Sequence, residues 1–184
     1  MKFSAVTIGA LAGAAAVSAQ NSSTPSFCDK YSTALFNSTA ADKQLTLLTL
    51  VVNSAVIGNY SNATAPNAAV KPTGIVNNGT YMGKSVSLLK YFDGTVASTN
   101  RNGKASSVSF LDGGGPTPLM ANKPANDTTS NQYMLFTHLY SYFGTLLGCS
   151  SVGKGAFPAY AGSTSQASVH KVSSRFRRDI IPPC

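Results

Sequence analysis

The side chains able to do chemistry are few: two histidines, six aspartates and three cysteines, with no glutamate and no tryptophan in 184 residues. His138 falls mid-way along an apolar helical run, with Met134 and Tyr142 four residues to either side. A lone histidine in such a setting is what a helical haem protein offers its iron, and the same residues could wall a site for a small apolar ligand. His170 is far along the chain, and no His/Cys/Asp spacing suggests a metal site, so the expectation is no metal and no cofactor, with haem as the alternative. A glycosidase needs two acids facing one bond, and only Asp93 and Asp112 could be nominated. An enzyme of unfamiliar type would draw on Asp93, Arg101 and Asp112. No Gly-x-Ser-x-Gly elbow and no His-Glu-x-x-His is present.

Two glycine-rich stretches invite a functional reading. Gly79-Thr80-Tyr81-Met82-Gly83-Lys84-Ser85 has three residues between its glycines where a phosphate loop needs four, and is read as a turn leading into a helix. Asp112-Gly113-Gly114-Gly115-Pro116 is read as a structural turn, with a backbone recognition loop as the functional alternative.

The elements that must position these residues are mainly helical. Ser26 can cap a short helix whose Phe27, Tyr31 and Leu35 share one stripe. A second helix spans about 40–57, with Thr39 and Asp42 as a capping pair, and is apolar nearly all round except for Thr46, Thr49 and Asn53. A third runs from about Asn131 to Leu147, capped by Ser130. The fold class is therefore mainly α: two long buried helices packed together, short helices (one at 84–92), and a long irregular middle. That middle holds a possible small β-hairpin, with strands near 96–98 and 107–111 and a turn at Asn102-Gly103.

The N-terminus places this domain. Met1-Lys2 precedes an apolar run that closes on Val17-Ser18-Ala19, the pattern of a signal peptide cleaved after Ala19. The organisation expected is a signal peptide at 1–19, one globular domain at 20–151 and a disordered basic tail at 152–184. Arg175-Phe176-Arg177-Arg178 is a processing site in that tail. No second stretch could cross a bilayer. Sequons at Asn37, Asn59, Asn62, Asn78 and Asn126 fit surface loops of a secreted glycoprotein, and Asn21 begins another. In an oxidising compartment Cys28 and Cys149 would staple the ends of the core, with Cys149–Cys184 as the competing pair. The formal charge of +8 favours anionic extracellular surfaces over nucleic acid.

The stretches Phe27-Cys28-Asp29-Lys30-Tyr31, Leu47 to Tyr60, Ala97 to Arg101, Phe110 to Gly115, Ser130 to Tyr133 and Leu146 to Cys149 resemble small secreted fungal proteins of unassigned activity. The resemblance covers about residues 27–150 and implies secretion and a shared core rather than a chemistry. A looser likeness to small globins rests on helix content and His138. Together these readings point to a secreted, N-glycosylated, disulfide-stabilised binding protein without an enzymatic set. Its partner would be an extracellular glycan, a surface or a small ligand.

Overall fold

The computed structural model describes residues 24–60 and 72–162. Helix α1 (Phe27–Phe36) starts where the Ser26 hydroxyl accepts the Asp29 N–H at 3.0 Å, and ends at Asn37 in a left-handed conformation. Its buried face is Cys28 and Ser32. The stripe of Phe27, Tyr31 and Leu35 looks outward, with Phe27 65% exposed. Cys28 sets this rotation. Its sulfur is bonded to Cys149 and its N–H donates to the Leu147 carbonyl, which turns the larger side chains away from the core.

Helix α2 (Ala41–Ile57) packs chiefly on α4 (Asn131–Leu146) and also touches α1 and the short α3 (Pro116–Met120). The expected cap by Thr39 and Asp42 is not made. Ala40 occupies the cap position, its N–H donates to the Ser38 hydroxyl, and Asp42 pairs with Lys43 instead. Leu47, Leu48, Val52 and Val56 of α2 meet Phe136 and Tyr140 of α4 in the core. The two long helices are each buried along part of their surface rather than all round: Val51, Met134 and Leu146 are about half exposed. Thr49 and Asn53, from the polar stripe of α2, lie inside. A buried amide is accepted here because both of its ends are hydrogen-bonded.

The middle contains two antiparallel hairpins, where the sequence suggested one. Strands β1 (Gly79–Tyr81) and β2 (Lys84–Val86) turn at Met82-Gly83, and β3 (Thr99–Arg101) and β4 (Lys104–Ser106) turn at Asn102-Gly103. The expected helix over 84–92 is thus β2 followed by a single 3₁₀ turn at Leu89–Tyr91. Asp93 bridges Ser109, and the Phe110 N–H donates to the Phe92 carbonyl, which ties the segments after the two hairpins together.

The Asp112-to-Gly115 loop is a structural clamp on the start of α4. The Asp112 carboxylate accepts the Asn131 and Gln132 N–H groups and the Asn131 amide. Burial raises its pKa, but these donors outweigh that and hold it below the ordinary value of 3.8. Gln132, fully buried, accepts the N–H groups of Gly113 and Gly115 and donates to the carbonyls of Gly115 and Pro124. A side chain at Gly113 would collide with Ser130 and Ala125. Gln132→Leu is expected to lower stability by about 2–3 kcal/mol, since it strands the Gly113 N–H and the Gly115 and Pro124 carbonyls at once, while the Gly115 N–H keeps the Leu111 carbonyl. Urea denaturation measures it, and a loss within about 0.5 kcal/mol, as for an ordinary surface change, would deny the clamp its role.

The basic tail cannot begin at 152. Val152 packs on the core, and Phe157 is fully buried in a tight bend closed by hydrogen bonds between Gly153, Lys154 and Phe157. The apolar period that marks a helix is missing from this segment because single side chains on turns, Phe157 above all, hold it rather than a continuous face. Residues 163–184 lie outside the described residues.

Candidate functional site

A cavity of about 360 Å³ lies where α2, α4, the turn after α3 and residues 155–158 converge. Helix α2 contributes Leu45 and Thr49, one turn apart, and α4 contributes Tyr133, Thr137 and Tyr140. The turn after α3 adds Asn122 and Pro124, and the C-terminal bend adds Gly155, Ala156 and Pro158. None of the lining residues carries a charge. The Thr49 and Thr137 hydroxyls donate to the carbonyls of Leu45 and Tyr133, so each is fixed and keeps lone pairs to accept with.

A buried network connects this wall to the core. Asn53 donates to the Leu119 carbonyl at 3.0 Å and accepts the Tyr140 hydroxyl at 2.7 Å. The Tyr60 hydroxyl donates to the Asn122 side-chain oxygen at 2.7 Å. Burial pushes the pKa of both phenols up, offset in part by the Asn53 amide, and the nearby Tyr60 raises Tyr140 further. Such phenols bind protons more tightly in the folded chain than in the unfolded one. Their contribution to stability is therefore present below pH 10 and lost as pH rises through and beyond it. In a spectrophotometric titration at 295 nm, Tyr60 and Tyr140 should ionise last and only as the fold opens. Ionisation of every tyrosine near pH 10 with the fold intact would contradict this.

The residues expected from sequence to bind a ligand lie elsewhere. His138 and Met134 are exposed, and neither they nor Tyr142 lines the cavity. The His138 ring packs edge-on against Tyr160 at 5.0 Å, and Tyr142 does the same at 5.4 Å. Successive helical residues are about 100° apart, so the stripe 134, 138, 142 is the neighbour of the cavity-facing stripe 133, 137, 140. The cavity therefore opens on the stripe next to His138, and His138 itself does not line it. Among the described residues no group of three His, Cys, Asp or Glu could hold a metal ion.

The acids named for an enzyme are each engaged locally. Asp93 accepts the Thr95 N–H and Asp112 is spent on α4, while Arg101 stands on exposed β3; no hydrogen bond or ion pair among the described residues links the three. Cys28 and Cys149 are bonded as expected. Asn37, Asn59, Asn78 and Asn126 are exposed, and Asn126 rests its amide against Gly114. Asn21, Asn62, Ala19, His170, Arg178 and Cys184 lie outside the described residues.

Sequence reasoning missed the network. Asn53, inside an otherwise apolar helix, was its one available signal, because an amide there needs partners from other elements. Nothing in the sequence pairs Tyr60 with Asn122. Compared with known proteins, the chain matches no family model, no curated protein and no solved structure.

Proposed function

We propose that this chain is a secreted, glycosylated binding protein that holds a small, neutral, partly apolar ligand bearing hydroxyl groups in the cavity between α2 and α4. The observation that carries the reading is the cavity wall: aromatic and aliphatic surface interrupted by fixed hydroxyl oxygens, with no charge. Apolar walls with a few placed polar groups are the usual make-up of a small-molecule site. A charged ligand would have to shed water without a counter-charge to receive it. Asn122 accepts from Tyr60 through its oxygen and keeps its NH₂ group as a donor for a ligand hydroxyl. The signal-like N-terminus, the sequons, the Cys28–Cys149 bond and the resemblance to secreted fungal proteins support the extracellular setting. No helix among the described residues is long and apolar enough to cross a membrane.

The test uses fragments observed by NMR. Benzyl alcohol and cyclohexanediol should shift the amides of Tyr133, Thr137 and Tyr140, with dissociation constants on the order of 1 mM, as fits their few atoms. Benzoate and benzylamine should not. Thr137→Phe, which fills the cavity from α4, should abolish the shifts. Equal binding of the charged fragments, or full binding by the filled variant, would remove the reading.

A further inference from the structure

The two hairpins are built alike and stand away from the helical body. Gly79-Thr80-Tyr81-Met82-Gly83-Lys84-Ser85-Val86 and Thr99-Asn100-Arg101-Asn102-Gly103-Lys104-Ala105-Ser106 share one plan twenty residues apart: three residues, a two-residue turn ending in Gly, then Lys. Both turns take the left-handed conformation at both positions (Met82 φ 49°, Asn102 φ 53°). A Cβ added at Gly79, Gly83 or Gly103 would meet nothing within 4 Å. Most residues of both ribbons are exposed, with only their first and last positions partly covered. Among the described residues no helix packs against either ribbon to any extent.

Charge is distributed just as unevenly. Lys84, Lys90, Arg101 and Lys104 lie within 79–106 against the single acid Asp93, whose carboxylate accepts the Thr95 N–H. The remaining described cations, Lys30, Lys43, Lys123 and Lys154, are matched in number by Asp29, Asp42, Asp112 and Asp127. All the excess positive charge of the described residues therefore sits on the hairpin segment. Exposed aromatic surface accompanies it: Tyr81 is 69% and Tyr91 44% exposed, and Tyr81 stands opposite Lys84 across the turn. Met82, 84% exposed, occupies a left-handed position where an asparagine would be easier to hold.

We propose that the twin hairpins are a docking surface for an acidic polysaccharide, a polymer of carboxylate-bearing sugars. Lysine and arginine answer its carboxylates, and Tyr81 offers a flat face to its rings, while Tyr91, on the 3₁₀ turn beside the first hairpin, carries Lys90 over one face at 5.5 Å. Thr80, Ser85, Asn100 and Ser106 supply neutral donors and acceptors for its hydroxyls. These uncharged polar side chains favour a sugar polymer over a lipid surface, which would ask for more apolar tips than Met82 alone and would leave the Asn102 tip unused. The surface is separate from the cavity and stands whether or not a small ligand binds there.

The experiment is calorimetry of the full secreted chain with polygalacturonate at about 50 mM NaCl, where screening is weak, then at rising salt. Binding should weaken steadily with salt, and neutral laminarin should bind at least about tenfold less tightly. Lys84→Ala/Lys104→Ala should weaken binding on the order of tenfold, while Lys30→Ala/Lys123→Ala, with the same loss of charge, should change it less than about twofold. Met82→Asn keeps the turn and reports the part played by the exposed tip, with a smaller loss than the double lysine change. Thr137→Phe should leave polysaccharide binding unchanged. Equal losses from the two double variants would overturn the proposal, since net charge alone would then suffice. So would equal binding of laminarin. Lys84- and Lys104-dependent binding to phosphatidylserine-containing vesicles without binding to polygalacturonate would also overturn it, in favour of a membrane.

Discussion

Replacing both members of the Cys28–Cys149 bridge by serine is expected to lower the stability of the folded chain by about 4–5 kcal/mol. The bond joins residues 121 apart, so its absence returns to the unfolded chain nearly all the freedom that one cross-link can remove. It is not the only tie between these two segments. Gln44 of α2, fully buried, donates to the Asp29 carboxylate and to the Ser150 hydroxyl, and accepts the Ser151 N–H. Asp29 in turn accepts from the Ser150 N–H and hydroxyl. Disulfide and network thus occupy consecutive residues on both segments, 28–29 and 149–151. The bridge limits the unfolded state, whereas Gln44 satisfies buried groups in the folded one. Denaturant unfolding of the double variant, and of the native chain in reductant, measures the first effect. A loss below about 1 kcal/mol in both would mean that the Gln44 network alone keeps the two segments together. Adding Gln44→Leu to the double variant should then destabilise by more than the sum of the separate losses.

What the sequence made legible follows from how local each cause is. Ser26 and Ser130 cap their helices as their position before an apolar run suggests, and the Asn102-Gly103 turn is specified by two adjacent residues. The face a helix buries is less local. The stripe of Phe27, Tyr31 and Leu35 gives the right period and the wrong side, because a covalent bond at Cys28 outweighs the burial of three larger side chains. Asn53 reads as part of a polar stripe and nothing in the sequence singles out Gln132, since their partners, Tyr140, Leu119 and the glycine loop, come from other elements. Met82-Gly83 gives no conventional hairpin signal: methionine is a poor choice for a left-handed position, and the strands beside it have no buried face to impose an alternating pattern. The cavity is legible from none of its parts alone. It needs the register of α2 against α4, and that register is set by the core beneath.

Phe157→Ala is the second change expected to have a large effect, a loss of about 3–5 kcal/mol. The ring is fully buried and lies against Gly144, where even a methyl group on α4 would collide with it. Gly144 is thus kept small by Phe157, and Gly144→Ala should also destabilise the chain through overpacking, by about 1–3 kcal/mol. Because both variants act at one contact, their combination should cost less than the sum, the added methyl partly filling the space the ring vacates. A loss below about 1 kcal/mol for Phe157→Ala would place residues 152–162 outside the cooperative unit. The consequence reaches the candidate site, since Ala156 and Pro158 flank Phe157 and line the cavity. If the ring fixes that wall, Phe157→Ala should weaken fragment binding even at temperatures where α2 and α4 remain folded, while binding to polygalacturonate through the hairpins persists. Stability, cavity and hairpins can therefore be separated by one substitution, because Phe157 is the fully buried residue of the segment that lines the cavity and the hairpins do not pack to any extent on the cavity's helices.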